Sequence, residues 1–263
     1  MSASDPTSRF SDRVDNYVRY RPTYPKEVLS LLTKETGLSE SHAIADIGSG
    51  TGISAQHFLN NGNHVFGIEP NLGMRQTAEK QLNQQPNFHS ITGTAEATTL
   101  ADKSIDYVIA AQAFHWFDQP TARLEFSRIL RPEGWVVLIW NSRRKESTEF
   151  LKAYEALLQQ YGTDYNKIRH TNTKVEDLIG FFGGAIEQRS LYNEQIFNFE
   201  SLKGRLLSSS YVPNVGHTDY QPMINTLETM FQQHQQNGQV VVEYDTQVYF
   251  GQLYSRRLIS GLF

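Results

Sequence analysis

The sequence predicts an α/β protein built on a doubly wound, mostly parallel sheet, and three observations predict it. From residue 43 to residue 141, short apolar runs of strand length alternate with amphipathic runs of helix length, which is the pattern of a parallel sheet covered by helices. The first of those runs passes straight into a bend with glycine on alternate positions, Gly48, Gly50 and Gly52. Far down the chain, two further runs, 186–199 and 240–250, alternate apolar and polar residues as an antiparallel pair does; Val240, Val242, Tyr244, Val248 and Phe250 lie on one side.

Taken in order, Pro25 opens a helix through Val28, Leu29, Leu31 and Leu32 that stops at Gly37, with proline in the first turn and glycine past the last. The first strand is Ala43 to Ile47. A helix from Ile53 to about Asn61 ends at Gly62, and a second strand runs from His64 to Ile68. Met74, Ala78 and Leu82 make one stripe of the next helix. Strands follow at 87–91, 104–111 and 135–140; a helix over 120–130 joins the last two and is broken by Pro132 and Gly134. Beyond strand 5, Leu151, Tyr154, Leu158 and Tyr161 recur at helical spacing, and 175–182, 202–207 and 223–231 also read as helices. Residues 208–214 read as a loop.

Composition narrows the function. At 263 residues with a net charge of −4 and both signs interspersed, the chain lacks the basic surface that nucleic-acid phosphates demand. It has no cysteine, which excludes disulfides, thiolate metal sites and a cysteine nucleophile. The run 232–237 holds one histidine among glutamines, so no metal site is expected. Residues 1–13 are polar, and no run reaches the length of a membrane span; a cytoplasmic protein without a membrane or nucleic-acid partner is expected.

The glycine bend is where a ligand can touch backbone. Glycine allows the positive φ of a tight strand-to-helix turn, and the helix behind it points free N–H groups into the same crevice. A dinucleotide fingerprint would place its third glycine one residue later. Here Asp46 also stands two residues before Gly48. A carboxylate in that place repels a pyrophosphate and suits a ligand that carries an amine. Glu69 ends the next strand, at about the twenty-residue interval where such folds hold ribose hydroxyls.

These residues carry a resemblance. Asp46-x-Gly48-x-Gly50-x-Gly52 followed by Glu69 resembles the class I S-adenosylmethionine-dependent methyltransferases, over residues 10 to 141. With Phe10 to Tyr17, Tyr20 to Pro25 and Gln112 to Phe117, the chain is similar to the type 11 group that includes ubiquinone- and trans-aconitate-type enzymes. The resemblance implies a Rossmann-like, seven-stranded sheet, mostly parallel with an antiparallel C-terminal strand. Helices would cover both faces, with helical insertions after strands 5 and 6. It divides a single domain, 1–263, into a lid and helix at 10–37, a cofactor core at 42–141, substrate-covering insertions with strand 6 at 142–237, and a last strand and tail at 238–263.

The cofactor implied is S-adenosyl-L-methionine. Its expected contacts are Asp46, Gly48, Ser49, Gly50 and Gly52 at the bend, and Glu69 and Pro70 after strand 2. Thr94, Ala95 and Glu96 follow strand 3, where the family usually has an acid in the place of Thr94, and Gln112, Ala113 and Phe114 follow strand 4. Tyr17 and Arg21 belong to the lid, and the arginine fork suits the methionine carboxylate. Otherwise Phe10, Val14, Tyr17 and Val18 form one helical face that packs on the domain.

The run Gln112-Ala113-Phe114-His115-Trp116-Phe117 supplies a dry wall, partly by seeding the core. His115 and Trp116 are expected at the reaction face, His115 either as a base or as a hydrogen-bonded wall residue. Arg143, in the basic cluster 141–145, meets an acidic acceptor or is solvated. Asp106, at the start of strand 4, is expected to be structural. The predicted activity is methyl transfer to a small molecule, with a carboxylic acid as the favoured class, by a monomer or homodimer. The alternatives are a binding protein without turnover and a nicotinamide-dependent oxidoreductase.

Overall fold

The computed structural model describes residues 18–163, residue 165 and residues 175–253. The expected lid stretch 10–17, with Tyr17, lies outside the described residues. The strands are β1 Ala43–Ile47, β2 His64–Ile68, β3 Phe88–Ile91, β4 Ile105–Ala111, β5 Leu130–Arg143, β6 Glu187–Phe197 and β7 Val240–Gly251. The helices are α1 Glu27–Thr36, α2 Ile53–Leu59, α3 Leu72–Gln81, α4 Gln119–Ile129, α5 Glu149–Tyr161, α6 Val175–Phe182, α7 Phe199–Leu207 and α8 Tyr220–His234.

All seven strands form one sheet in the order β3-β2-β1-β4-β5-β7-β6. The first five pair in parallel, and β7 runs antiparallel to both β5 and β6. Strand order reverses between β1 and β4, so the crevice of an open α/β sheet opens at their C-terminal ends. Successive residues of the inner strands serve opposite faces. Val108 and Ala110 of β4 join Ala45, Ile47 and Phe126 on one side, while Tyr107 and Ile109 join Val28, Leu32 and Ile44 on the other. A third core of Leu151, Leu158, Leu202, Leu206, Met223 and Leu227 holds α5, α7 and α8 together with the early part of β7.

Local chemistry sets the helix ends. Asn71, Asp118, Thr148 and Asn198 each accept a backbone N–H in the first turn of α3, α4, α5 and α7. Gly37, with φ +77°, closes α1. One boundary differs from expectation. Pro132 and Gly134 break no more than the helix, and β5 begins at Leu130 with an irregular register opposite Ile105 rather than at Trp135. Asp106 is structural as expected: its Oδ2 accepts the Ala43 amide at 2.8 Å and Arg131 Nη1 at 2.7 Å, tying the start of β4 to β1 and β5.

Candidate functional site

At the reversal point the chain leaves β1 through a bend held by the neighbouring strand. The amides of Gly48 and Ser49 both donate to the Ile68 carbonyl, at 2.8 and 3.1 Å. All three glycines have positive φ, but for different reasons. A β-carbon at Gly48 would stand 2.6 Å from Ala113, and one at Gly52 would stand 2.7 Å from Leu82, so these two are required by packing. A β-carbon at Gly50 would meet nothing nearer than the Gly48 carbonyl at 4.0 Å. The space beside Gly50 is an open cradle of backbone.

Two carboxylates flank that cradle. Glu69 is buried, and its oxygens accept the amides of Gly50 at 2.9 Å and Asn71 at 2.8 Å, so it braces the bend from β2. Burial raises its pKa, against these hydrogen bonds. Asp46 is fully buried beneath the bend. Its Oδ2 accepts the Ser54 hydroxyl at 2.7 Å, while Oδ1 has no hydrogen-bond partner among the described residues. Burial pushes the Asp46 carboxyl up to about 7, partly offset by the Ser54 bond. A cation placed above the bend would restore its charge.

A cavity of about 540 Å³ opens from the bend, between the ends of β1, β4 and β5 and the helical roof. That is the size of a small-ligand site. Gly48, Ser49 and Gly50 line one end, Arg21 the side, and Gln112, His115 and Trp116 the next wall. Gln112 holds φ +58°, uncommon for a side chain of its size, with its amide bonded to Ile139 and its Nε2 to the Asn141 carbonyl. Strain of that kind concentrates where geometry serves a ligand. The His115 ring lies 4.7 Å from that of Trp116, and burial pushes its pKa down to about 4, leaving a neutral imidazole.

Segment 20–24 is laced over this wall. The Tyr20 ring sits against Gly204 of α7 and Gln195 Nε2 donates to the Tyr20 carbonyl at 3.2 Å. Asn141 and Asn193 both donate to the Thr23 carbonyl, and Arg21 Nη2 to the Ser208 carbonyl at 3.0 Å. The segment thereby carries the Arg21 guanidinium to the cavity.

Some expected residues lie elsewhere. Phe114 is fully buried and packs edge-on against Phe117, Trp140 and Phe181, so it belongs to the core instead of the crevice wall. Its neighbour Ala113 fills the space that Gly48 leaves. Ala95 is buried in the same core as Phe114, and Thr94 accepts the Glu96 amide at 3.3 Å. Glu96 accepts the Asp118 amide at 2.8 Å and so links the turn after β3 to the aromatic run after β4. Pro70 is exposed beside Glu69.

The basic cluster after β5 splits. Arg143 turns into the cavity, paired with Glu155 and lying over the Tyr154 ring at 5.0 Å; Arg144 pairs with Asp245 at 2.7 Å on the outside. Sequence reasoning missed Tyr165, Arg205, Tyr211 and Tyr244, which line the far end. A signal existed for Arg205, because it stands at i+3 from Leu202 and next to Leu206 on the apolar stripe of α7.

Residues 45–138 match a family model described as a methyltransferase domain. An uncharacterized methyltransferase of Mycobacterium tuberculosis is 34% identical over 142 residues, 54% of this chain and 56% of that protein. The chain therefore spans little more than half the length of such curated relatives. An uncharacterized methyltransferase of Schizosaccharomyces pombe is 27% identical over 202 residues, covering 76% of this chain and 77% of its own. Among solved structures, a candidate type II methyltransferase from Anaeromyxobacter dehalogenans superimposes with a TM-score of 0.67 at 19% identity, over 89% of this chain and 98% of its own, a likeness of fold.

Proposed function

We propose that the chain, whose residues 45–138 match a methyltransferase-domain family model, transfers a methyl group from S-adenosylmethionine to a small-molecule acceptor, with a carboxylic acid as the favoured class. The observation that carries this reading is Gly50, whose side-chain direction is empty and gives onto a cavity of about 540 Å³. When bound, S-adenosylmethionine supplies an electrophilic methyl carbon on a sulfonium. The residues present fit it: Asp46 puts a buried negative charge beneath the place of the amino acid end, and Glu69 keeps lone pairs for ribose hydroxyls while bracing Gly50. Arg21 receives the carboxylate of the donor.

The remaining work of the chain is orientation and exclusion of water. Holding two reactants in line is worth roughly 7–11 kcal/mol of barrier. Gln112 fixes the wall between donor and acceptor through its bond to Asn141, and Trp116 and His115 close it. With its pKa near 4, the His115 imidazole is a weak base that accepts a hydrogen bond better than it carries a proton. A carboxylate acceptor is already anionic and needs no base. Residues 142–237 supply the acceptor's cover, and the chain works in the cytoplasm as a monomer or homodimer. No helix among the described residues is long and apolar enough to cross a membrane.

Incubation of the full chain with S-adenosylmethionine and a panel of small acids, amines and phenols, followed by mass spectrometry, tests this. A product heavier by one methylene, formed together with S-adenosylhomocysteine, supports it. Donor binding without turnover of any acceptor would make the chain a binding protein, and tight binding of NADH instead would overturn the donor.

A further inference from the structure

The far end of the cavity holds an uncompensated charge. Arg205 is only 8% exposed, yet its guanidinium bonds to neutral oxygens alone: Tyr244 Oη at 3.3 Å, Ser208 Oγ at 3.4 Å and Ser209 Oγ at 3.3 Å. Arg128, Arg131, Arg143, Arg144 and Arg189 each have a carboxylate within 4 Å, and Arg205 has none among the described residues. A guanidinium cannot shed its proton, so a buried one without a counter-ion costs several kcal/mol that the fold must supply. The phenol of Tyr154 nearby is pushed up to about 12 by burial, so it stays protonated and neutralises nothing.

The rest of the lining points the same way. Arg21, Arg143, Lys145 and Arg205 line the cavity, and no aspartate or glutamate does so among the described residues. Glu155, behind the wall, is shared by Arg143 and Lys145. Arg21 Nη2 donates to the Ser208 carbonyl and Arg205 Nη1 to the Ser208 hydroxyl, so both guanidiniums meet the C-terminal end of α7.

We propose that Arg205 is the specificity-determining residue for the acceptor, and that it pairs with a carboxylate of the acceptor other than the group that is methylated. The fork of an arginine engages both oxygens of a carboxylate, here through Nη2 and through Nη1 once one of its long bonds to Ser208 and Ser209 gives way. A carboxylate so held has its lone pairs tied up and is a poor nucleophile, so the anchored group and the reacting group are different. The acceptor is then an acid with a second nucleophilic group, one end on Arg205 and the other facing His115 and Trp116. The hydroxyls of Tyr244, Ser208 and Ser209 keep the fork aimed while the cavity is empty.

This inference rests on the methyltransferase reading, and one experiment separates the two. S-adenosylhomocysteine is titrated first into the full chain and into its Arg205→Met and Arg205→Lys variants. Failure of the unaltered chain to bind it overturns the methyltransferase reading. Propionate, glutarate, tricarballylate and phenylacetate, each beside its amide, and inorganic phosphate are then titrated into all three proteins with and without S-adenosylhomocysteine.

The expected result is that at least one carboxylate binds the unaltered chain well above its amide. R205M should weaken it about thirtyfold or more and R205K by less, with S-adenosylhomocysteine affinity within about twofold in both variants. Ligand-free R205M should melt no lower than the unaltered chain, since it loses a buried unpaired charge. The inference is overturned if no carboxylate exceeds its amide, if R205M keeps the affinity, or if phosphate alone binds. It is overturned equally if R205M melts several degrees lower, the mark of a purely structural arginine.

Discussion

Replacing Gly50 by alanine separates ligand contact from folding. The site holds φ +57° and an added β-carbon finds no protein atom closer than 4.0 Å, so the cost to the fold is that of the left-handed backbone alone, roughly 1–2 kcal/mol. In a chain of this size each kcal/mol lowers the melting temperature by about 2–4 °C. The methyl group stands where the donor would approach the Gly50 amide region. A methyl group there overlaps the ligand, an overpacking of roughly 1–3 kcal/mol, or about five- to a hundredfold in affinity.

Gly52→Ala is the converse. Its β-carbon falls 2.7 Å from Leu82, so overpacking of roughly 1–3 kcal/mol adds to the strain, while the crevice stays clear. Calorimetric titration with S-adenosylhomocysteine, beside thermal melts, reads both. Gly50→Ala should lose affinity with a small drop in melting temperature, and Gly52→Ala the reverse. Wild-type affinity in Gly50→Ala would refute the reasoning.

Three further outcomes are expected. The raised pKa of Asp46 means that its contribution to stability is full below 3.8 and is lost as pH rises from there through about 7; binding an ammonium-bearing ligand expels the proton. Affinity for S-adenosylhomocysteine should therefore fall as pH drops below about 7, by up to tenfold per unit, and Asp46→Asn should flatten the curve, as titrations from pH 5 to 8 would record. His115→Gln should lower turnover by less than about tenfold, and the pH profile of kcat should lack a limb at the usual histidine range, because burial holds this imidazole near 4. Glu125, paired with Arg128 and accepting both the amide and the hydroxyl of Thr98, has its pKa lowered from 4.5 to about 2. Its contribution to stability is full above 4.5 and is lost as pH falls toward 2, so Glu125→Gln should flatten acid unfolding across that interval.

The sheet was legible because period and punctuation agree: β1, β2 and β4 are short, mainly apolar runs, and Gly37, Gly48 and Gly62 mark ends whose positive φ favours glycine. The beginning of β5 was not, since Pro132 and Gly134 argue locally against a strand that tertiary pairing with Ile105 nevertheless forms. At the site, the bend could be read from spacing, and so could the carboxylates packed against it, Asp46 beneath and Glu69 beside, neither of which lines the cavity. The aromatic run after β4 could be placed but not oriented: adjacent residues diverge, so Phe114 goes to the core while His115 and Trp116 face the cavity. Arg205 and Tyr244 escaped because they come from distant elements, α7 and β7, whose meeting depends on how the roof folds down, and no local pattern encodes that.

The central claim is that the bend at Gly48 to Gly52 grips an aminoacyl nucleoside and turns its sulfur toward a cationic hollow. A crystal structure of the full chain grown with S-adenosylhomocysteine measures this directly. The expected structure has ribose hydroxyls on Glu69, the aminoacyl end of the ligand laid along Gly50, and sulfur facing the space between His115 and Arg205. A nucleoside bound elsewhere, or an empty crevice at saturating ligand, would contradict it.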